Sequence, residues 1–155
     1  MNARPIRRAV IAAGALLVSA CAMTPTGTPD RDALAKEFLT EPASSAIYVY
    51  RNPFNYYDTD PVLFVNGRII GTTPPGTYYR IDTVPGNNVL HGTGLDLGQL
   101  TMDVQAGRLY FVSLSVLGGQ SQYQVVPEDL GRERLRTCCT LHENWNPVAA
   151  RLKVR

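Results

Sequence analysis

Residues 61–70 read Pro-Val-Leu-Phe-Val-Asn-Gly-Arg-Ile-Ile, and this stretch decides the fold class. Two apolar runs flank Asn66-Gly67, a dipeptide that tolerates the positive φ angles required at both central positions of a type I′ turn. The sequence therefore predicts a tight β-hairpin. Its register has three opposed pairs: Val65 with Arg68, Phe64 with Ile69, and Leu63 with Ile70.

The same period of two recurs on both sides of the hairpin. Residues 46–51, Ala-Ile-Tyr-Val-Tyr-Arg, are rich in the β-branched and aromatic residues that favour strands. A type II turn is predicted at residues 84–87, where proline and glycine stand at the two central positions. Further strands are predicted at residues 77–83, 88–93, 100–105, 109–117 and 122–126. About eight strands with closely spaced turns predict a mainly β protein, an antiparallel β-sandwich.

A short helix is predicted at each end of this strand region. Residues 30–39 carry Leu34 and Phe38 at a spacing of four, which predicts that both side chains dock on the sandwich. Either of two aspartates in the first turn can cap this helix, and Pro42 prevents its continuation. A C-terminal helix is predicted from Pro127, with acidic residues in its first turn and arginines near its end.

Residues 1–20 predict a signal peptide. Arginines without any acid precede an uncharged run at residues 9–20, which is too short to span a bilayer but suits a secretory signal. The run leads into residues 18–21, Val-Ser-Ala-Cys, which resemble the lipobox of bacterial lipoproteins. The resemblance implies that Cys21 becomes the first mature residue and carries lipid. The alternative is an ordinary signal peptide followed by a chance cysteine.

The rest of the chain divides into a tether and one domain. Residues 21–29 are small, polar and interrupted by proline, which predicts a lipid-anchored linker spanning roughly 15–25 Å. Residues 30–155 predict a single domain. An aspartate after the lipidated cysteine commonly signals inner-membrane retention in Gram-negative bacteria, and here that position is Ala22. The expected location is therefore the outer membrane, with the domain facing the periplasm.

The distribution of charge argues against nucleic acid as a partner. The chain has 15 Lys+Arg against 13 Asp+Glu, and three of the arginines lie in the signal peptide. The remainder is therefore nearly neutral, unlike a basic nucleic-acid-binding surface. Three basic residues alternate with apolar ones at the end of the chain and are interpreted as a solvated strand face, with attraction to anionic headgroups as the alternative. They are Arg151, Lys153 and Arg155.

Three stretches resemble a family of small bacterial lipoproteins that share a domain of unknown function: residues 47–52, with their Ile-Tyr-Val-Tyr-Arg strand, 62–73 and 84–86. The resemblance runs from about residue 33 to residue 126. It implies an envelope lipoprotein with a β-sandwich body and implies no reaction. The hairpin and the Gly-Thr-Thr-Pro-Pro after it also resemble PEGA-type β-sandwich modules of cell surfaces, which supports the fold.

Motifs of enzymatic chemistry are missing from the sequence. The chain lacks the His-Glu-x-x-His, Gly-x-Ser-x-Gly, Ser-x-x-Lys and Gly-x-x-x-x-Gly-Lys patterns, so no catalytic residue, cofactor or metal is expected. His91 is interpreted as a hydrogen-bonded histidine of the sheet. Residues 58–60, Asp-Thr-Asp, are interpreted as a polar loop, because Ca²⁺ needs more oxygen ligands than they supply. His142 lies three residues after Cys139 and could join it in a metal or redox site.

Cys138 and Cys139 are the two thiols that remain if Cys21 is lipidated, and the expected compartment is oxidising. Adjacent Cα atoms lie ~3.8 Å apart, below the usual disulfide span of about 4.4–6.8 Å. Three interpretations stay open: a strained vicinal disulfide, two buried thiols, and an intermolecular or redox-active pair.

The tyrosines also allow two interpretations. Tyr48 and Tyr50 share one face of the first strand, while two further pairs, at residues 56–57 and 78–79, cluster near turns. Packing inside the sandwich with hydroxyls at its rim is the favoured interpretation. The alternative is a glycan- or peptide-binding surface, for which tyrosine offers rigid area and a hydroxyl.

Together these observations favour a non-enzymatic envelope lipoprotein, a lipid-tethered binding or structural module. Its expected partners are the membrane, through Cys21, and an envelope protein or glycan. The alternative from another class is a thiol redox accessory or enzyme that uses Cys138, Cys139 and His142. A further alternative is a lipoprotein of a secretion machine, which rests on fold analogy alone.

Overall fold

The computed structural model describes residues 24–55 and 59–144. The predicted signal peptide, the predicted lipid-attachment residue Cys21, the Tyr56-Tyr57 pair and the basic end of the chain lie outside these ranges. Statements about the structure below concern the described residues.

Two β-sheets pack face to face, and helices cover the outer face of one of them. The elements are α1 (Pro29–Ala35), β1 (Ser45–Arg51), β2 (Val62–Val65), β3 (Arg68–Thr72), β4 (Thr77–Thr83), β5 (Gly86–His91), β6 (Gln99–Val104), β7 (Leu109–Leu117), β8 (Gln120–Val126), α2 (Glu128–Cys138) and β9 (Thr140–Leu141). The strand orders are β8-β7-β1-β4-β9 and β3-β2-β5-β6. The predicted mainly β sandwich with two short helices is confirmed, and the two-residue β9 adds to the eight strands expected.

Strand pairing differs from a purely antiparallel sandwich. β1 pairs with β7 in parallel, and β4 pairs with β9 in parallel. The predicted turn at residues 84–87 does not close a hairpin, because β4 and β5 belong to different sheets. β5 begins at Gly86, whose φ of 118° is accessible to glycine. The chain crosses between sheets here and again after β6, so β7 returns to the first sheet in the same direction as β1.

The β2–β3 hairpin has the predicted turn and two of the three predicted pairs. Asn66 and Gly67 have φ angles of 52° and 72°. Val65 lies opposite Arg68 and Phe64 opposite Ile69, but Leu63 lies opposite Gly71 because the register shifts between Leu63 and Phe64. The expected pair of Leu63 with Ile70 is therefore wrong. The missing side chain at Gly71 leaves room for the hydroxyl of Tyr79, which a Cβ there would overlap.

The first sheet separates two hydrophobic cores. The inter-sheet core contains Ile47 and Val49 of β1 with their neighbours Leu63, Val65, Ile70, Tyr79, Ile81, Leu90, Met102, Val104, Val112 and Leu114. The helix-side core lies between this sheet and the helices and contains Ala35, Phe38, Ala46, Tyr48, Tyr50, Tyr78, Phe111, Leu135, Cys139 and Leu141. Alternation along β1 sends side chains into both cores, so every residue of β1 is buried. Tyr48, Tyr50, Tyr78 and Tyr79 are thus packed inside, as the favoured interpretation predicted, but the Tyr48 hydroxyl is buried and donates to the Ala35 carbonyl, so it does not lie at the rim.

α1 is shorter than predicted and is capped by a different residue. It ends at Ala35, and its N-cap is Thr28, whose Oγ1 accepts from the Arg31 N–H at 3.4 Å. After the helix, Phe38 adopts a φ of 55° and enters the helix-side core. Leu34 stays 42% exposed, so the expectation that both residues dock holds for Phe38 alone. Leu34 and Phe38 do not share a helix face, because the helix ends between them, at Ala35.

Residues 24–28, the edge segment, are attached to the domain and do not form part of a free linker. The Gly27 N–H donates to the Leu141 carbonyl at 2.7 Å, and the Glu143 N–H donates to the Pro25 carbonyl at 2.9 Å. Thr24 is already buried. The predicted linker of residues 21–29 is therefore too long: a backbone ladder to β9, which composition does not reveal, holds its second half.

Candidate functional site

One end of the sandwich collects most of the loops and is called the loop end. It comprises residues 52–55, 59–61, 73–76, 92–98 and 118–119. β1, β3, β5 and β7 finish at this end, and β2, β4, β6 and β8 begin there. Any site built from several loops of this fold therefore lies here, because the opposite end carries short connections such as the β2–β3 turn.

A buried guanidinium organises the base of the loop end. The Arg51 side chain is 0% exposed. Its Nη1 donates to the carbonyls of Thr73 at 2.8 Å and Thr59 at 3.2 Å and pairs with Asp60 Oδ1 at 3.0 Å. Its Nη2 and Nε donate to the carbonyl and side-chain oxygens of Asn55. Arginine at the end of β1 thus satisfies buried carbonyls that would otherwise lose their hydrogen bonds to water.

The other loops are fixed by side-chain hydrogen bonds to strand ends. Asn55 exchanges two bonds with the backbone of Val116, at 2.8 and 2.9 Å. The Gln120 amide donates to the Leu95 carbonyl and accepts from the Leu97 N–H, both at 2.8 Å. Asp96 accepts from the N–H and hydroxyl of Ser121. These bonds hold the loops in defined positions.

Large apolar side chains project into solvent from these fixed loops and from Leu117, the last residue of β7. Their exposed fractions are 83% for Phe54, 90% for Leu95, 85% for Leu97 and 68% for Leu117. Sequence analysis missed them. The available signal was the run Gly-Leu-Asp-Leu-Gly at residues 94–98, where leucines stand among turn residues, and Leu117, the end of a predicted strand directly before Gly118-Gly119. Apolar side chains held in solvent can contact another apolar surface but perform no proton or electron chemistry.

The cysteine pair lies beside the Arg51 network. A disulfide joins Cys138, at the end of α2, to Cys139. Cys139 is buried, its Sγ lies 3.8 Å from the Arg51 carbonyl oxygen, and its own carbonyl accepts from Lys36 Nζ at 2.8 Å. The adjacent Thr140 N–H donates to the Gly76 carbonyl. This arrangement matches one of the three interpretations, but the oxidation state in solution stays a prediction.

His142 is buried away from any set of ligands. It bridges Thr26 of the edge segment, and its ring lies edge-on to Tyr79 with centroids 6.0 Å apart. Burial lowers the pKa of His142 below its ordinary value, although Asp60 opposes the shift. Its Nδ1 has no hydrogen-bond partner among the described residues. Within residues 24–55 and 59–144, no three His, Cys, Asp or Glu side chains converge as metal ligands.

His91 and Asp60, two further candidates from the sequence, make contacts that support the fold. His91 stacks on Phe64 with ring centroids 5.1 Å apart, and its Nδ1 lies 2.6 Å from the Gly92 carbonyl, as expected of a hydrogen-bonded sheet histidine. Asp60 is committed to Arg51, while Asp58 lies outside the described residues. Neither described helix has the length and apolar character needed to span a bilayer.

Comparison with known proteins gives a family and one relative. Over 134 residues the chain is 25% identical to a protein of Haemophilus influenzae named "Uncharacterized protein", an alignment that covers 83% of this chain and 80% of that protein. A family model described as "Protein of unknown function (DUF2846)" matches residues 41–127, from the segment before β1 to the start of α2. Because this match covers more than half of the sequence, the chain belongs to that family.

Proposed function

We propose that the protein is a non-enzymatic lipoprotein of the bacterial envelope, tethered to the outer membrane by lipid on Cys21 and facing the periplasm. The observation that carries this proposal is the sequence Val-Ser-Ala-Cys at residues 18–21, at the end of an uncharged run preceded by arginines. Several acyl chains on one cysteine give stable anchoring, whereas a single chain gives only marginal binding.

The folded body is proposed to act as a binding or structural module for an envelope protein or glycan. Two features support a contact surface over a catalytic one. The loop end presents apolar side chains on loops fixed by hydrogen bonds, and the sequence lacks established catalytic motifs. The likeness of the hairpin to PEGA-type surface modules belongs to the same proposal.

The intact mass of the protein extracted from membranes with detergent tests the anchor. We expect a mass equal to residues 21–155 plus lipid, and we expect Cys21→Ser to abolish both cleavage and lipid addition. Cys138→Ser is the matched control, because it removes a sulfur that the lipid does not use. A secreted protein without lipid on Cys21 would overturn the proposal.

A thiol redox role is the second candidate, and the Cys138–Cys139 disulfide beside the loop end is the observation that favours it. It predicts that reductant adds two hydrogens to the extracted protein and that the double variant Cys138→Ser, Cys139→Ser loses the cellular phenotype of the wild type. A double variant that keeps both its fold and that phenotype would remove this candidate and leave the tethered module.

A further inference from the structure

We propose that the loop end contacts the bilayer that holds the anchor, with Phe54, Leu95, Leu97 and Leu117 inserted among the lipids. The inference rests on the proposed function, because it takes the lipid to be attached to Cys21. The domain is then held against the membrane in one orientation and does not move freely on a flexible linker.

The exposed apolar side chains of the loop end lie close to one another. Gln120 bonds to the backbone of both Leu95 and Leu97, and it lies opposite Leu117 in the β7–β8 pair. Phe54 precedes Asn55, which is bonded to the neighbouring Val116. The four side chains therefore surround one corner of the sandwich. Exposed apolar groups concentrated in this way mark interaction sites on soluble domains.

The polar groups around these four side chains also suit contact with lipid. Among the described residues of the loop end and the strand termini beneath it, the charged side chains are already bonded within the protein. Arg51 is buried with Asp60, and Asp96 accepts from Gly98 and Ser121. The hairpin tip is Gly118-Gly119, and residues 73–76 read Thr-Pro-Pro-Gly. Among the described residues, this surface therefore carries one ion pair and one carboxylate that accepts three hydrogen bonds, and these bonds lower the cost of moving it out of water.

The lipid on Cys21 would lie only a short distance from the folded domain. The Thr24 hydroxyl accepts from the Thr72 N–H at 3.0 Å and lies 2.9 Å from the Thr72 hydroxyl. Thr72 is the last residue of β3 and so lies at the loop end. Three peptide bonds join Cys21 to Thr24, so their Cα atoms lie at most about 11 Å apart.

Such a short reach keeps the domain at the headgroups. The predicted free linker of residues 21–29 would instead allow roughly 15–25 Å. Because Thr24 is bonded to the last residue of β3, the loop end lies within reach of the lipid. The resulting high effective concentration raises the occupancy of a contact that the four side chains make more weakly, but measurably, without the anchor.

Depth-dependent fluorescence quenching tests the orientation on the full lipidated protein. Leu97→Cys and Leu117→Cys, each carrying an environment-sensitive fluorophore, are reconstituted in phosphatidylethanolamine/phosphatidylglycerol vesicles that contain lipid with a nitroxide on the acyl chain. Val84→Cys is the matched control, because Val84 is 74% exposed in the β4–β5 connection at the opposite end. Wild-type protein taken through the same labelling measures background from Cys138 and Cys139.

We expect strong quenching and a blue shift at Leu97 and Leu117 and neither at Val84. Loop-end labels that stay in water on lipidated, vesicle-bound protein would overturn the inference alone, whereas protein that lacks lipid on Cys21 would overturn the proposed function as well. Labels that become shielded only as the protein concentration rises would assign the loop end to a second copy of the chain and also overturn the inference.

A partition measurement gives an independent result. The mature chain with Cys21→Ser is mixed with neutral phosphatidylcholine vesicles, and the combined variant Leu95→Ser, Leu97→Ser, Leu117→Ser is compared with Val84→Ser. Because burial of one leucine is worth about tenfold or more in a partition coefficient, the triple variant should bind at least about tenfold more weakly. Equal partitioning of the triple variant and the Val84→Ser control would contradict insertion.

Discussion

The helix-side core and the loop end use large apolar side chains in opposite ways. In the helix-side core, the rings of Tyr48 and Phe111 stack 5.1 Å apart, and Phe38 meets Phe111 edge-on at 5.7 Å. Two arginines of α2 lie within about 5 Å of the Phe38 ring centroid and close the core from outside. At the loop end, Phe54 and Leu95 contact mainly solvent although their loops are fixed.

The difference separates stability from surface chemistry. Side chains of the helix-side core gain by leaving water during folding, whereas those of the loop end gain nothing until another apolar phase covers them. The polar network of Arg51, Asn55 and Gln120 maintains the loop end without any help from its apolar side chains. Folding and contact are therefore expected to fail through different substitutions.

Phe111→Ala is expected to have the largest effect on stability. Phe111 is 1% exposed, and its ring also fills the space that a side chain at Gly131 would need. Removing it leaves a cavity under α2 and should lower the free energy of unfolding by about 3–5 kcal/mol. Urea unfolding followed by far-UV circular dichroism measures the change.

The matched control is Phe54→Ala, which removes the same ring at an exposed position. Its expected effect is within about 0.5 kcal/mol of zero. Similar losses at Phe111 and Phe54 would show that the loop end belongs to the folding core, which would erase the comparison.

Arg51→Met is expected to cost somewhat less, about 2–3 kcal/mol, because it leaves the Thr59, Thr73 and Asn55 oxygens without their charged donor. The loss should appear first as faster amide hydrogen exchange at residues 52–55 and 59–61, before global unfolding. Arg68→Met, at the exposed tip of the β2–β3 hairpin, is the control. Unchanged exchange in these loops would show that Arg51 does not organise the loop end.

Sequence periodicity predicted the faces of strands better than their partners. The alternation of β6 and β7 and the Asn66-Gly67 turn were correct, because each depends on neighbouring residues alone. The parallel pairing of β1 with β7 was missed, since it depends on where the chain crosses between sheets. Val84-Pro85-Gly86 predicts a turn, but these residues do not indicate which sheet contains the next strand.

The candidate site was harder to predict for a related reason. The role of Arg51 depends on carbonyls from two loops that meet in space but lie up to 22 residues from Arg51 in the sequence. The disulfide could be named from adjacent cysteines, whereas the exposure of Leu97 could not. Leucine is usually buried, so only its position between turn residues distinguishes it from a core leucine.

A smaller effect is expected from acid at Asp32, which ties α1 to β9 beside the helix-side core. Burial raises the pKa of Asp32, but hydrogen bonds from Lys36 and the Leu141 N–H outweigh it, so the pKa lies below its ordinary value. The unfolded chain therefore binds the proton more readily. The stabilisation is present above about pH 3.9 and is lost as the pH falls through the folded-state pKa.

Urea midpoints measured across this acid range test the tie. Asp32→Asn should remove about 0.5–1 kcal/mol at neutral pH and should flatten the acid dependence, because the side chain is partly exposed and carries one ion pair. Asp103→Asn, on the exposed face of β6, is the matched control. A wild-type curve parallel to that of Asp32→Asn would mean that other carboxylates cause the acid loss.

The smallest effect on stability is expected from Leu97→Ser. At 85% exposure the side chain loses little on unfolding, and the bond from its N–H to Gln120 does not involve the leucyl group. The free energy of unfolding should therefore change by less than about 0.5 kcal/mol. Nitroxide quenching of a fluorophore on Leu117→Cys, relative to one on Val84→Cys, should fall. Gln120→Ala should lower the free energy of unfolding more than Leu97→Ser does and should change the quenching less. It removes the bonds that hold the loop but keeps the leucine. If Leu97→Ser instead stabilised the fold and left membrane contact intact, exposure of this leucine would serve neither folding nor the bilayer.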